Sequence, residues 1–238
     1  MCIQVRYLYI MGTHGVKWTH RGRLKWTPVI FSISLTSKER KDKNTMAMYR
    51  SHLEKLDIKT IATWADSTTH VVAAKRNTAI GLQALVNGRY IVTHSYIDAI
   101  VSAAKLPSAV NGATPHSSLE CDFDKNWPKP ENFLPPVGYE PVSKPPEAYS
   151  PDGRRKTIFE GWVFVFGDEL QYHNLLGPIT DASGKAEKFT IKDGLTLPEE
   201  LAEFVQKKGH GSDVAVVRFR SKTHADWEVG FTRKLQQL

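Results

Sequence analysis

Thr68-Thr69-His70-Val71-Val72-Ala73, answered further on by Tyr90-Ile91-Val92-Thr93-His94-Ser95-Tyr96-Ile97-Asp98-Ala99-Ile100, is the stretch that decides how this chain folds. Thr-His-Val-Val-Ala has the length and β-branched content of a short buried strand. Between the two runs, Asn77 to Val86 reads as a helix with Ile80, Leu82, Leu85 and Val86 at its apolar positions. Gly88 is its stop, because glycine accepts positive φ at a helix end. Tyr90-Ile91-Val92 is a three-residue strand, and Tyr96, Ile97 and Ile100 open another helix. Strand, helix, strand and helix thus follow one another within residues 68–100.

Working outward, Pro28 to Leu106 forms one unit. Val29 to Ser34 is a strand, Met46 to Leu56 a helix with Leu53 and Leu56 inward, and Ile58 to Ala62 a strand with period-two alternation. The order β-α-β-β-α-β-α implies an α/β unit, a small and mostly parallel sheet flanked by helices. Lys156 to Leu238 begins the same way. Ile158 to Phe166 is an apolar strand, Leu170 to Leu176 a helix, and Phe189 to Ile191 a short strand. Pro198 starts a helix with Glu199, Glu200 and Glu203 near its positive end. Val214 to Phe219 is a further strand, after which this second repeat still owes a strand and a helix.

Ten of the thirteen prolines lie between Pro107 and Pro151, a density that excludes helix and central strand. The same stretch carries Phe123, Trp127, Phe133, Leu134, Tyr139 and Tyr149, too many rings for a disordered linker. It is expected to lie along the folded parts, pinned by those rings. The division is therefore 1–27 unassigned, 28–107 first repeat, 108–153 proline-rich connection and 154–238 second, incomplete repeat.

Residues 1–60 hold twelve Lys/Arg against four Asp/Glu, and they account for the whole basic excess of a chain with formal charge +7. Such a patch suits DNA phosphate or a phosphorylated partner, or is a solvated loop around Lys38 to Lys43. Cys2 and Cys121 exclude a disulfide framework and a Cys-based zinc site, and fit a reducing compartment. The nine histidines show no ligand pair at helical spacing, so neither metal nor cofactor is expected. His70 is read as a structural, hydrogen-bonded residue, and Trp64, Trp162 and Trp227 as core or contact residues. No apolar run has membrane-spanning length.

Several segments together resemble the BRCT repeats of the nibrin family, in its fungal form. They are Lys75-Arg76-Asn77-Thr78-Ala79, Gly81 through Val92, Asp122-Phe123-Asp124-Lys125-Asn126-Trp127-Pro128, Phe133-Leu134-Pro135-Pro136, Pro146-Glu147-Ala148-Tyr149 and Phe159-Glu160-Gly161-Trp162-Val163-Phe164. The resemblance implies tandem BRCT repeats. Arg23 to Pro28 resembles the last strand of an FHA domain running into them. The remainder of that domain and the family's C-terminal motifs for the nuclease subunit and checkpoint kinase are missing, which points to a shortened gene model.

Phosphate-reading BRCT repeats place a hydroxyl at the end of the first strand, a nearby backbone N–H, and a lysine at the start of the second helix. By that resemblance the hydroxyl position falls on Ser34, with Thr36 and Ser37 as near substitutes. The lysine position falls on Ile80, a departure that removes one charge-assisted bond from the pocket. Lys75 and Arg76, just before the helix, are the substitute cations. Tyr96 fills the place where the family's third helix carries an inward tryptophan.

The resemblance implies a non-enzymatic adaptor of the DNA-damage response, in the nucleus and on chromosomes. It would recruit the MRN complex to double-strand breaks through phosphopeptide binding. Its implied partners are phosphorylated damage-response proteins and the MRN nuclease and ATPase subunits, and its settings include checkpoint signalling, telomere maintenance and meiosis. Two readings compete with it: a basic module binding DNA ends, and a BRCT scaffold without phosphate recognition. No nucleophile–base or metal constellation argues for an enzyme.

Overall fold

The computed structural model describes residues 2–4, 25–35, 42–108, 116–138, 140, 142–221 and 224–236, and within them the alternation of strand and helix builds two separate parallel sheets. The chain divides into two compact units, Met1–Ala84 with Arg89–Ser150, and Leu85–Gly88 with Pro151–Leu238. Ahead of the first sheet, β1 (Cys2–Gln4) pairs antiparallel with β2 (Lys25–Thr27), the latter lying in the stretch that resembles an FHA strand. Arg23 and Leu24 of that stretch fall outside the described residues.

The first unit contains β3 (Ile30–Ser34), α1 (Lys43–Glu54), β4 (Lys59–Ile61), β5 (His70–Ala73), α2 (Ala79–Val86), β6 (Tyr90–Val92) and α3 (His94–Ala104). This is the order read from the sequence. The sheet runs β4-β3-β5-β6 with every pair parallel. All four residues of β5 are buried, as an inner parallel strand covered on both faces requires. Phe31, Ile33, Val72 and Val92 face a cluster with Leu53 of α1 and Tyr96, Ile97 and Ile100 of α3. Alternation sends Val71, Ala73 and Ile91 to the other face, where Ala84 of α2 is equally buried. Each large side chain in these clusters contributes roughly 1.5–3 kcal/mol by leaving water. Tyr96 is fully buried, in the inward position expected of it.

Gly88 closes α2 at φ +62°, with Arg89 N–H donating to the Ala84 carbonyl (2.8 Å) and Gly88 N–H to Leu85 (3.2 Å). That pair of bonds is the Schellman arrangement, which glycine enters without a Cβ penalty.

The proline-rich stretch contains two single-turn helices, α4 (Ser118–Cys121) and α5 (Phe123–Asn126), contrary to the expectation that proline density excludes helix. Both lie in a proline-free run, and each has its own cap. The Ser117 hydroxyl accepts from Glu120 N–H (3.3 Å) while the Glu120 carboxylate accepts from Ser117 N–H (2.7 Å). Asp122 caps α5 (3.1 Å). Two 3₁₀ turns, Pro130–Phe133 and Pro146–Tyr149, follow. The rings pin this stretch to the first unit as expected: Trp127 and Phe133 pack against its core, Phe133 lies 5.2 Å from Tyr96, and Thr93 N–H donates to the Phe133 carbonyl (2.8 Å). Tyr139 lies outside the described residues.

The second unit runs β7 (Trp162–Phe166), α6 (Glu169–Asp181), β8 (Lys185–Lys188), α7 (Pro198–Gly209), β9 (Asp213–Val217) and α8 (Ala225–Leu235), with strand order β8-β7-β9, all parallel. Three sequence expectations need correction. The apolar run starting at Ile158 becomes strand only at Trp162, because Gly161 turns the chain at φ +81°. Trp162 is then 39% exposed rather than core. The strand expected at Phe189–Ile191 forms instead at polar Lys185–Lys188, an edge strand, while Phe189 and Ile191 fill the core from the following loop. Finally, α8 follows β9, burying Phe231 with Trp227 and Leu235 packed beside it. Among the described residues no strand lies beyond β9, where β6 stands in the first sheet, so this sheet is one strand short of its counterpart.

Candidate functional site

Register builds the site from two strand ends. Ser34 closes β3 and pairs directly with Ala73, the last residue of β5. Neighbouring strands lie about 4.8 Å apart, so the Ser34 hydroxyl stands one strand away from the turn Ala74-Lys75-Arg76 that leads into α2. Ligands of open parallel sheets gather at these carboxyl ends, and a helix start there adds oriented N–H groups.

The turn into α2 is tight. The Thr78 hydroxyl accepts from Gly81 N–H (3.0 Å), and a Cβ at Gly81 would stand 2.7 Å from the Arg76 carbonyl oxygen. Only glycine fits that approach.

Ser34 is half-buried, Lys75 exposed and Ile80 half-buried at the second position of α2. Thr36 and Ser37 lie outside the described residues. Arg76 is only 8% exposed and is directed at the proline-rich stretch. Its Nε–H donates to the Pro135 carbonyl, and its guanidinium lies 4.7 Å from the centre of the Tyr149 ring. The structure thus brings Ser34 and Lys75 to adjacent strand ends, while Arg76 clasps another segment. Pro135 and Tyr149 stand 59 and more residues downstream, and no local pattern links them to Arg76.

A buried polar network supports the other end of these strands. Thr69 Oγ1 accepts from Ile30 N–H (2.9 Å), donates to the Ile30 carbonyl (3.0 Å) and lies 2.9 Å from His70 Nδ1. One assignment satisfies all three contacts: a neutral His70 donating from Nδ1. Burial, with help from the Arg89 charge, lowers the His70 pKa to about 4. Its ring stacks between Tyr90 (5.2 Å) and Tyr96 (5.4 Å). His70 is therefore structural. Ser32 and Thr68, both fully buried, share a 2.7 Å hydrogen bond on β3.

The corresponding strand end of the second unit has different chemistry. Asp168 caps α6 by accepting from Gln171 N–H (2.8 Å), and Glu169 pairs with Lys188 (2.8 Å). That pairing holds the Glu169 carboxyl below the usual range. Asp168, Glu169 and Asp193 line one cavity here with Arg220 and His173. Three carboxylates disfavour a phosphate dianion. Among the described residues no group of three or more His, Cys, Asp or Glu side chains is placed to hold a metal ion.

A parallel sheet ordered β4-β3-β5-β6, in a unit that runs β-α-β-β-α-β-α, defines the first unit as a BRCT-type module. Residues 153–238 match the family model of the second BRCT domain on Nijmegen syndrome breakage protein. Among solved structures it is similar to the BRCT5-BRCT6 domains of S. pombe Brc1, at 13% identity and TM-score 0.47, covering 89% of this chain and 84% of that one. It is also similar to the FHA-BRCT1-BRCT2 domains of S. pombe Nbs1, at 14% identity and TM-score 0.47, covering 90% of this chain and 64% of that one.

Proposed function

We propose that this protein is a non-enzymatic, nuclear adaptor of the DNA-damage response that reads phosphorylated partners through its first BRCT unit. The observation that carries the reading is the Ser34–Ala73 register, which sets a hydroxyl beside the Lys75 turn and the start of α2. Ser34 and Lys75 are the primary phosphate ligands, with Thr36 as a further candidate. The nibrin-type match of residues 153–238 supports the damage-response setting. In that setting the adaptor acts at chromosomal double-strand breaks and brings the MRN nuclease and ATPase subunits there. The working division is a first repeat over 28–107, a connection over 108–153 and a second repeat over 154–238.

The basic excess of residues 1–60 favours a second reading, direct binding of DNA ends. Two titrations separate them. A labelled duplex end tests the second, since phosphate neutralisation makes affinity fall steeply and linearly with the logarithm of salt. A diphosphorylated acidic peptide tests the first. Binding of that peptide, lost on dephosphorylation, supports the adaptor. Steep salt-dependent duplex binding with no preference for the phosphorylated peptide overturns it.

A further inference from the structure

The first unit contains a concavity whose lining residues the phosphate reading does not use. Its volume is about 360 Å³, and its walls come from the start of β6 and the two 3₁₀ turns of the proline-rich stretch. Tyr90, Tyr149, Pro130 and Pro146 line it with apolar faces, and Glu131 and Glu147 add two carboxylates. Among the lining residues none is basic. Both glutamates are exposed.

The walls are held in place. Tyr90 is stacked on buried His70 at 5.2 Å with 17° between the planes, which fixes one face of its ring. The Pro130–Phe133 turn is tied to the sheet by the 2.8 Å bond from Thr93 N–H to the Phe133 carbonyl. The following residue pair is held by Arg76 through the Pro135 carbonyl. Glu131 sits close enough to the Tyr90 hydroxyl to raise its pKa, after burial, by charge and hydrogen bonding. The Tyr149 ring already carries one guanidinium, that of Arg76.

We propose that this cavity receives an arginine side chain from a partner polypeptide. The chemistry selects that residue. Tyrosine rings attract a cation through their π faces, and a planar guanidinium stacks on them where an ammonium cannot. Two carboxylates on separate turns match a fork of five N–H donors, and each such bond is charge-assisted. Lysine offers a compact, strongly hydrated point charge and uses the rings less well. The volume suits one long side chain with its flanking backbone.

The test uses the full chain and the tripeptide N-acetyl-Gly-Arg-Gly-amide, followed by amide chemical shifts. The expected result is saturable shifts confined to Tyr90, Asn132, Leu134, Tyr149 and their neighbours. The citrulline tripeptide, equal in shape but neutral, is expected to give none, and the lysine tripeptide to bind more weakly. Glu131→Gln with Glu147→Gln should weaken the arginine tripeptide about tenfold or more, as expected for losing charge-assisted bonds. Because both side chains are exposed, an unchanged amide spectrum elsewhere will certify the fold of that variant, and the citrulline comparison on the unaltered chain needs no variant. Equal binding of the citrulline or lysine tripeptide, or unchanged affinity in the double variant, would overturn the proposal.

Discussion

Arg76→Ala should release the proline-rich stretch from the first unit. Arg76 makes two contacts across that boundary, the Nε–H bond to the Pro135 carbonyl and the stacking of its guanidinium over Tyr149 at 4.7 Å. A hydrogen bond to a charged donor is worth about 1.5–3 kcal/mol and a partly desolvated cation–π contact about 0.5–2 kcal/mol. Truncation also strands a carbonyl on buried Pro135. The sum, about 2–5 kcal/mol, raises the open population of the stretch roughly 30- to 5,000-fold. Hydrogen exchange resolves this locally: the Ala148 and Ser150 amides, bonded to Pro145 and Glu147, should exchange faster by about that factor, with β3 amides far less affected. Arg76→Lys should restore less than half the protection, since an ammonium lacks the Nε–H geometry and the planar stack. Unchanged exchange in Arg76→Ala would refute the clasp and return Arg76 to the pool of free phosphate ligands.

Stability of the first unit should depend on pH through His70. Its native pKa is lowered to about 4, so below its ordinary value of 6.5 the unfolded chain takes up a proton that the native ring refuses. The contribution is therefore complete above pH 6.5 and is lost as pH falls towards 4, by about 3 kcal/mol in all. Urea titrations read on β5 amides should show this slope, and His70→Phe should flatten it. Gly81→Ala should destabilise the start of α2 by about 1–3 kcal/mol, because the new Cβ meets the Arg76 carbonyl and the Thr78 hydroxyl; the urea midpoint of α2 amides measures it. Asp168→Ala should cost the second unit about 1 kcal/mol by removing the cap of α6, seen as a lower melting temperature in that unit.

Much of the first unit was legible because its signals are local. Period-two burial, a glycine at the end of α2 and the Thr-His ahead of β5 each act within a few residues, and all seven elements appear in the expected order. The second unit was harder because apolar content and strand identity part company there. Phe189 and Ile191 are apolar because they fill the core from a loop, whereas Lys185–Lys188 is a strand because parallel pairing with β7 holds a polar edge. The helix at Ala225–Leu235 was missed in the sequence, although Trp227, Phe231 and Leu235 stand there at helical spacing. At the candidate site the sequence singled out Ser34 and Lys75, and the register places them at adjacent strand ends. The sequence carried no sign that Arg76 would turn away to Pro135 and Tyr149, since that contact depends on the path of a distant stretch.

The central claim is that the strand ends at Ser34 and Lys75 bind phosphate. Calorimetric titration of the full chain with one acidic peptide, diphosphorylated and unphosphorylated, tests it most directly. The phosphorylated form should bind at least tenfold more tightly. Ser34→Ala and Lys75→Ala should each remove about 1.5–3 kcal/mol of that preference, and Ile80→Lys should add a comparable amount by restoring a cation at the start of α2. Equal binding of the two peptide forms, or a phosphate preference that all three substitutions leave untouched, would contradict the account.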